Sequence, residues 1–154
     1  MNYPAPTFYP IRQVDEDQIR FAVIAVRCHG KWLLCRHKDR QTWEMPGGHR
    51  EPGETPLETA SRELFEETGI RAQEDEFEFL GSDRDRSAFY DFYCLKRYVP
   101  EDEIVLLPGE TDAAQWVTFA QIHQMIADKQ ICQVIANQFL RQEPELRKRQ
   151  SAQE

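Results

Sequence analysis

Residues 43–70 read WEMPGGHREPGETPLETASRELFEETGI. Seven of these 28 residues are glutamate, and Glu63, Glu66 and Glu67 fall within five positions. The stretch opens on a Pro-Gly-Gly turn and then carries the signals of a helix. Thr55 is placed to be the N-cap, Pro56 takes the first helical position, and Glu58 completes a T-x-x-E capping box. Gly69 supplies the stop. At about 100° per residue, Leu57, Ala60, Ser61, Leu64 and Thr68 share the side that should face a core. Glu63, Glu66 and Glu67 crowd the opposite, solvent-facing flank as i,i+3 and i,i+4 neighbours.

Three carboxylates so placed repel one another, and they lie toward the helix end where the dipole is already negative. On spacing alone two readings stand. One is a solvated acidic face partly relieved by Arg62. The other is a seat for a hard cation, since Mg²⁺ and Mn²⁺ prefer oxygen donors and bind through a few carboxylates plus substrate phosphates.

Upstream of this helix, residues 19–28 (IRFAVIAVRC) form an apolar, β-branched run that suits a strand buried on both faces. His29-Gly30 turns the chain, and residues 31–37 (KWLLCRH) return as a second strand. Downstream, residues 77–80 (FEFL) and 88–99 (AFYDFYCLKRYV) read as two strands joined by a turn around Gly81 to Arg86. Alternation puts Phe89, Asp91 and Tyr93 on one face and Tyr90 and Phe92 on the other. Residues 103–107 are extended, and residues 115–118 form a last short strand. Thr118 with Gln121 makes a second capping box, opening a helix to about Asp128. A third helix is expected from about Ile131 to Arg141. The division is an N-terminal arm or edge segment at 1–18, a domain at 19–141 and a polar, frayed tail at 142–154. Strands and helices alternate irregularly, which predicts an α+β class or a mixed-sheet sandwich.

The chain has 154 residues, 40% apolar and 30% charged, which fits one domain with one sizeable core. Its net charge of -8 argues against binding a nucleic-acid polymer or an anionic membrane. An anionic small molecule stays open if a metal mediates the contact. No apolar run approaches the ~18 residues of a membrane span. The opening MNYPAPTFYPIRQV lacks the pattern of a signal peptide, so a cytoplasmic location is expected. Cys28, Cys35, Cys94 and Cys132 include no CxxC, and free thiols are expected. Cys28-His29 and Cys35-x-His37 make a poor zinc set, because a hairpin about Gly30 would put Cys28 opposite about Trp32, away from Cys35.

Gly48, five residues, Glu54, seven residues, then Arg62-Glu63-Leu64-Phe65-Glu66-Glu67-Thr68-Gly69-Ile70 resembles the Nudix box, G-x5-E-x7-R-E-U-x-E-E-x-G-U with U aliphatic. All nine specified positions match. With seven single-residue choices at ordinary residue frequencies, a chance match is on the order of 10⁻⁸ per start position. Trp43-Glu44-Met45-Pro46-Gly47-Gly48 resembles the family's lead-in, and the likeness extends from about Arg20 to Leu140.

The resemblance to the MutT/Nudix family implies an α/β/α sandwich with a mixed sheet. It implies metal-dependent hydrolysis of the diphosphate linkage of a nucleoside diphosphate derivative, with Mg²⁺ or Mn²⁺ as cofactor. It makes Glu63, Glu66, Glu67 and the Gly48 carbonyl metal ligands, and it makes Arg62 and Glu54 a buried ion pair holding the loop to the helix. For the general base it leaves Glu66, Glu67 and, from a later loop, Glu110, with Asp112 and Glu103 behind it. A non-catalytic module that binds a nucleotide as sensor or scaffold is the alternative, and such modules usually carry damaged boxes.

Substrate recognition wants an aromatic platform and a few polar groups. Trp43, Tyr90, Phe89 and Tyr93 are candidates, although core packing is the better reading of each taken singly. Arg36, Arg27 and Lys38 could reach phosphates, and His49 is the histidine placed to touch substrate. The final helices loosely resemble those of ADP-ribose pyrophosphatases, although the proline of that group is replaced by Asp85. The size fits the small MutT-type triphosphate pyrophosphatases as well. The expected partner is therefore a small nucleotide, bound by a monomer or homodimer.

Overall fold

The computed structural model describes residues 7–9, 13–109 and 111–151. In chain order its elements are β1 (Thr7–Tyr9), β2 (Ile19–Ala25), β3 (Arg27–Cys28), β4 (Lys31–His37), β5 (Gly47–His49), α1 (Pro56–Thr68), β6 (Phe77–Asp85), β7 (Ala88–Leu95), β8 (Thr111–Val117), α2 (Phe119–Ala127) and α3 (Gln133–Ser151). The apolar run 19–28 is one extended segment shared between two sheets. Its first part, β2, lies inside a five-stranded sheet of order β1-β6-β7-β2-β5, and its end, β3, opens a three-stranded sheet of order β3-β4-β8. β2 runs parallel to β7 and antiparallel to β5, so the larger sheet is mixed.

Both faces of β2 are covered, as its composition requires. Ala22 and Ile24 pack with Ala60 and Leu64 of α1, while Val23 and Ala25 pack with Ile122 of α2 and Phe139 of α3. Helices on both sides of a mixed sheet make the α/β/α sandwich expected of an α+β chain. No helix among the described residues is long and apolar enough to cross a membrane.

The helix signals are realised in full. Thr55 caps α1 with a reciprocal bond to Glu58, and Gly69 ends it at φ 77°. Thr118 and Gln121 do the same for α2. Other details depart from expectation. The two-residue turn at His29-Gly30 pairs Cys28 with Lys31 and Arg27 with Trp32, one position from the predicted register. Gly81 forms a bulge within β6, where the register shifts between Phe79 and Gly81, and the turn to β7 comes later, at Arg86.

The polar segment after Arg141 does not fray. α3 continues to Ser151, with Gln142 and Leu146 fully buried and Pro144 on its exposed side. There the carbonyl that proline frees can meet water. Arg149 then clamps Glu78 of β6 through two bonds of 2.7 and 2.6 Å.

Candidate active site

The site forms where β5, paired antiparallel to β2, meets α1. A Cβ on Gly47 would run into the Ala22 carbonyl, and one on Gly48 would run into the Glu63 carboxylate. The glycine pair is thus a condition of close approach.

Arg62 reaches from α1 back over the loop. Its Nε and Nη2 donate to the two Glu54 oxygens at 2.6 and 3.0 Å, and Nη2 also donates to the His49 carbonyl at 3.0 Å. Its Nη1 donates to Glu63 at 2.9 Å and to Glu66 at 3.1 Å. Glu54 also accepts from the Glu51 N–H and the Thr59 hydroxyl, each at 2.9 Å. The Arg62 hydrogen bonds chiefly hold the Glu54 carboxyl at about 2, against burial, which works the other way. This pair is shielded rather than sealed, with side chains 21% and 17% exposed. Arg50 locks the same loop from behind, donating to the carbonyls of Ile19 at 2.7 Å and Glu54 at 2.9 Å.

The three glutamates of the helix occupy different environments. Glu66 is the open one, its side chain 37% exposed. Glu67 is fully buried and Glu63 nearly so, which corrects the expectation of a solvent-facing flank. The sheet covers one side of α1, and the close-running Gly47-Gly48 backbone shields much of the other. Glu67 accepts from the Gly47 N–H at 3.4 Å and lies 3.3 Å from His37 Nε2. Burial, then repulsion from Glu67, pushes Glu63 up to about 8 despite Arg62. Burial also raises Glu67 despite His37.

Two such carboxylates in a low-dielectric corner without a full complement of positive charge have the chemistry of a hard-cation seat. Among the described residues no three His, Cys, Asp or Glu side chains form a closed metal site, and Glu66 is turned toward Arg62. A partial protein donor set fits an ion that keeps waters and completes its shell with substrate oxygens. It does not fit a four-ligand zinc site, and all four cysteines are free thiols.

Beside this corner opens a cavity of about 680 Å³, a volume typical of small-molecule sites. Tyr90 and His49, two of the candidates for meeting substrate, line it. Tyr90 stacks on Phe21 at 4.5 Å between centroids, and His49 meets Phe21 edge-on at 5.0 Å. Lys38 and Arg40 line it beside His37 and the acids Asp39, Glu44 and Glu63, with Arg40 paired to Glu44 at 3.0 Å.

Trp43 and Arg36 do not line the cavity. Arg36 lies over the Trp43 ring at 5.2 Å and bonds Asp112 at 3.3 Å. Trp43 itself donates its backbone N–H to Gln130 and accepts from Cys132, tying the segment between β4 and β5 to the entry of α3. Phe89 and Tyr93 belong to the other sheet face, Phe89 near Tyr9 and Tyr93 bonded to Asp91. Arg27 is spent on the carbonyls of Arg149 and Lys96. Glu103 pairs with Arg97, and Glu110 lies outside the described residues.

A family model described as NUDIX domain matches residues 17–137. The chain belongs to the Nudix family. It is a Nudix hydrolase, similar to a MutT-like protein of Streptomyces ambofaciens, 32% identical over 110 residues that make up 71% of this chain and 70% of that one. It is also similar to the putative 8-oxo-dGTP diphosphatase YtkD of Bacillus subtilis, 44% identical over 61 residues, which span 40% of this chain but 38% of that protein. The crystal structure of the MutT protein of Methanosarcina mazei shares the fold, with TM-score 0.60 and 24% identity over 82% of this chain and 94% of that one.

Two residues of this Nudix hydrolase carry no sequence signal for the place they occupy. Arg50 reads as one basic loop residue among several. His37 stands 30 positions from Glu67, and only the packing of β4 beside α1 joins them. His29 and His123 are engaged elsewhere, His29 stacked on Tyr98 and His123 bonded to Glu143.

Proposed function

We propose that this Nudix hydrolase cleaves the diphosphate linkage of a nucleoside diphosphate derivative, either a nucleoside triphosphate or a nucleotide sugar such as ADP-ribose, with Mg²⁺ (or Mn²⁺) as its ion. One observation carries the reading: a corner of buried, under-neutralised carboxylates opens directly into a cavity with a stacked aromatic floor and a lysine, Lys38, on its wall. The corner suits a divalent ion and hence phosphates, and the floor suits a planar base. The diphosphatase activity in the name of the B. subtilis relative supports the same reaction class.

Glu63, Glu66, Glu67 and the Gly48 carbonyl would hold the ion. Once bound, it supplies positive charge at the phosphate oxygens and acidifies a water. Arg62 and Glu54 fix the loop so that Gly48 stays against Glu63. We assign the general base to Glu66 over Glu67, because Glu66 is the exposed carboxylate and can meet water. Glu110 is the candidate outside the box. Tyr90, Phe21 and His49 seat the base, and Lys38 faces the phosphates.

A panel of nucleoside triphosphates and nucleotide sugars, incubated with Mg²⁺ and scored for phosphate or pyrophosphate release, tests this. Turnover of at least one member, lost on chelation, is expected. Binding of a nucleotide without turnover of any would replace the hydrolase reading with a sensor or scaffold.

A further inference from the structure

Among the described residues Arg62 holds Glu54, Glu63 and Glu66, and no contact joins it to Glu67. Glu67 is instead held from outside its helix. The Gly47 N–H faces Oε2 at 3.4 Å, and His37 Nε2 faces Oε1 at 3.3 Å.

His37 is the last residue of β4. There the pairing to β8 jumps from Arg36–Ala113 to His37–Thr111, leaving Asp112 unpaired. Bulges of this kind re-aim a neighbouring side chain. The same Nε2 lies 3.6 Å from Glu44 Oε1. Glu44 is buried, and Arg40 Nη1 draws both its oxygens, at 3.0 and 3.1 Å. One imidazole N–H thus faces two carboxylates, and Arg40 tips the balance toward Glu67 by occupying Glu44.

We propose that His37 is a positioning residue of the active site, its Nε2–H orienting the Glu67 carboxylate while Arg40, by pairing with Glu44, leaves that proton to Glu67. The inference rests on Glu67 being a working carboxylate of the site. Glu67 has no room to be re-aimed by solvent, so its rotamer depends on the donors the fold supplies. Both the neutral Nε2–H tautomer and the imidazolium present that proton. Partners that orient metal-site ligands are worth about 10–100-fold in activity or metal affinity.

The test combines kinetics at saturating Mg²⁺ on the best substrate, Mn²⁺ affinity by electron paramagnetic resonance, and imidazole ¹⁵N spectra of the metal-free protein. His37→Leu should lower kcat or Mn²⁺ affinity by about 10–100-fold with KM little changed. His37→Gln, whose amide N–H stands near the place of Nε2–H, should recover most of that loss. In the metal-free protein, Glu67→Gln should shift the His37 Nε2 resonance. Wild-type kcat and Mn²⁺ affinity in His37→Leu would overturn the inference, as would His37→Gln being no better than His37→Leu. A rise in KM with kcat preserved would make His37 a phosphate ligand instead. If His37→Leu does not fold, the ¹⁵N response to Glu67→Gln decides alone. Full activity in Glu67→Gln would sink the underlying reading of the site; an inactive Glu67→Gln beside an unimpaired His37→Leu would sink only the role given to His37.

Discussion

Replacing Glu54 by Gln separates the loop clamp from the proposed ion seat. Arg62 grips both Glu54 oxygens, and its hydrogen bonds hold the carboxyl at about 2 where 4.5 is ordinary. A depression of that size is worth roughly 3 kcal/mol at neutral pH. The pair is partly open to solvent, which screens it. Arg62 also keeps Glu63 and Glu66 after the substitution, so its charge is not stranded. Both effects bring the expected loss to about 2 kcal/mol, below the ~3–5 of a sealed pair. For a chain of this size that is a fall in Tm of about 4–8 °C. The measurement is thermal unfolding without metal, since bound metal adds its own stabilisation. A depressed carboxyl contributes fully above its unfolded value and fades as pH drops toward its folded one. The gap between wild type and Glu54→Gln should therefore close as pH falls from 4.5 toward about 2. Glu67→Gln should behave oppositely. Burial raises its carboxyl, so at neutral pH the charged form opposes the metal-free fold, and the amide should leave Tm unchanged or higher. If both substitutions lower the metal-free Tm alike, the division between clamp and seat is wrong.

Glu67→Gln should cut turnover by at least ~10²-fold at saturating Mg²⁺, as several kcal/mol of charge stabilisation are lost; near-normal rates would remove Glu67 from the ion seat. Mg²⁺ at about 100 times its Kd should stabilise the wild type by ~2.7 kcal/mol, seen as a Tm increase that a chelator reverses and that is much reduced in Glu67→Gln. Tyr90→Leu should raise KM about 3–10-fold with a smaller change in kcat, the scale of one lost aromatic stack; an unchanged KM would take the base off the Phe21–Tyr90 floor. Leu146→Ala should lose about 2–5 kcal/mol in urea unfolding, because α3 is packed there rather than frayed; a loss under ~0.5 would mark the segment as surface.

Local signals were legible in the sequence because they act locally. A capping box, a Pro at the first turn and a Gly stop each involve a few adjacent residues, and α1 and α2 obey them. Alternation along β7 sorted Tyr90 and Phe92 from Phe89, Asp91 and Tyr93 for the same reason. What was hidden is set by distant chain. Gly81 looks like a turn residue, yet pairing across β6 and β7 makes it a bulge. Residues 142–151 look like a tail, because Gln142, Leu146 and Arg149 form a narrow stripe that matters only with β6 and the core beneath it.

The burial of the glutamates shows how the two kinds of information join. A helical wheel finds a charged flank but cannot say what covers it. The Pro-Gly-Gly before the helix marks a backbone free of side chains, but does not say where that backbone lies. In the structure each explains the other. With no Cβ on Gly47 or Gly48, β5 sits against Ala22 on one side and Glu63 on the other. That approach takes water from Glu63 and Glu67, and desolvation raises both carboxyls. Arg62 reaches Glu63 and His37 faces Glu67, yet neither offsets the burial. The glycines thus position the acids and also make their charge unfavourable in the metal-free fold, which is the state the proposed cation would relieve. A side chain at Gly48 should therefore weaken metal binding even with every glutamate in place.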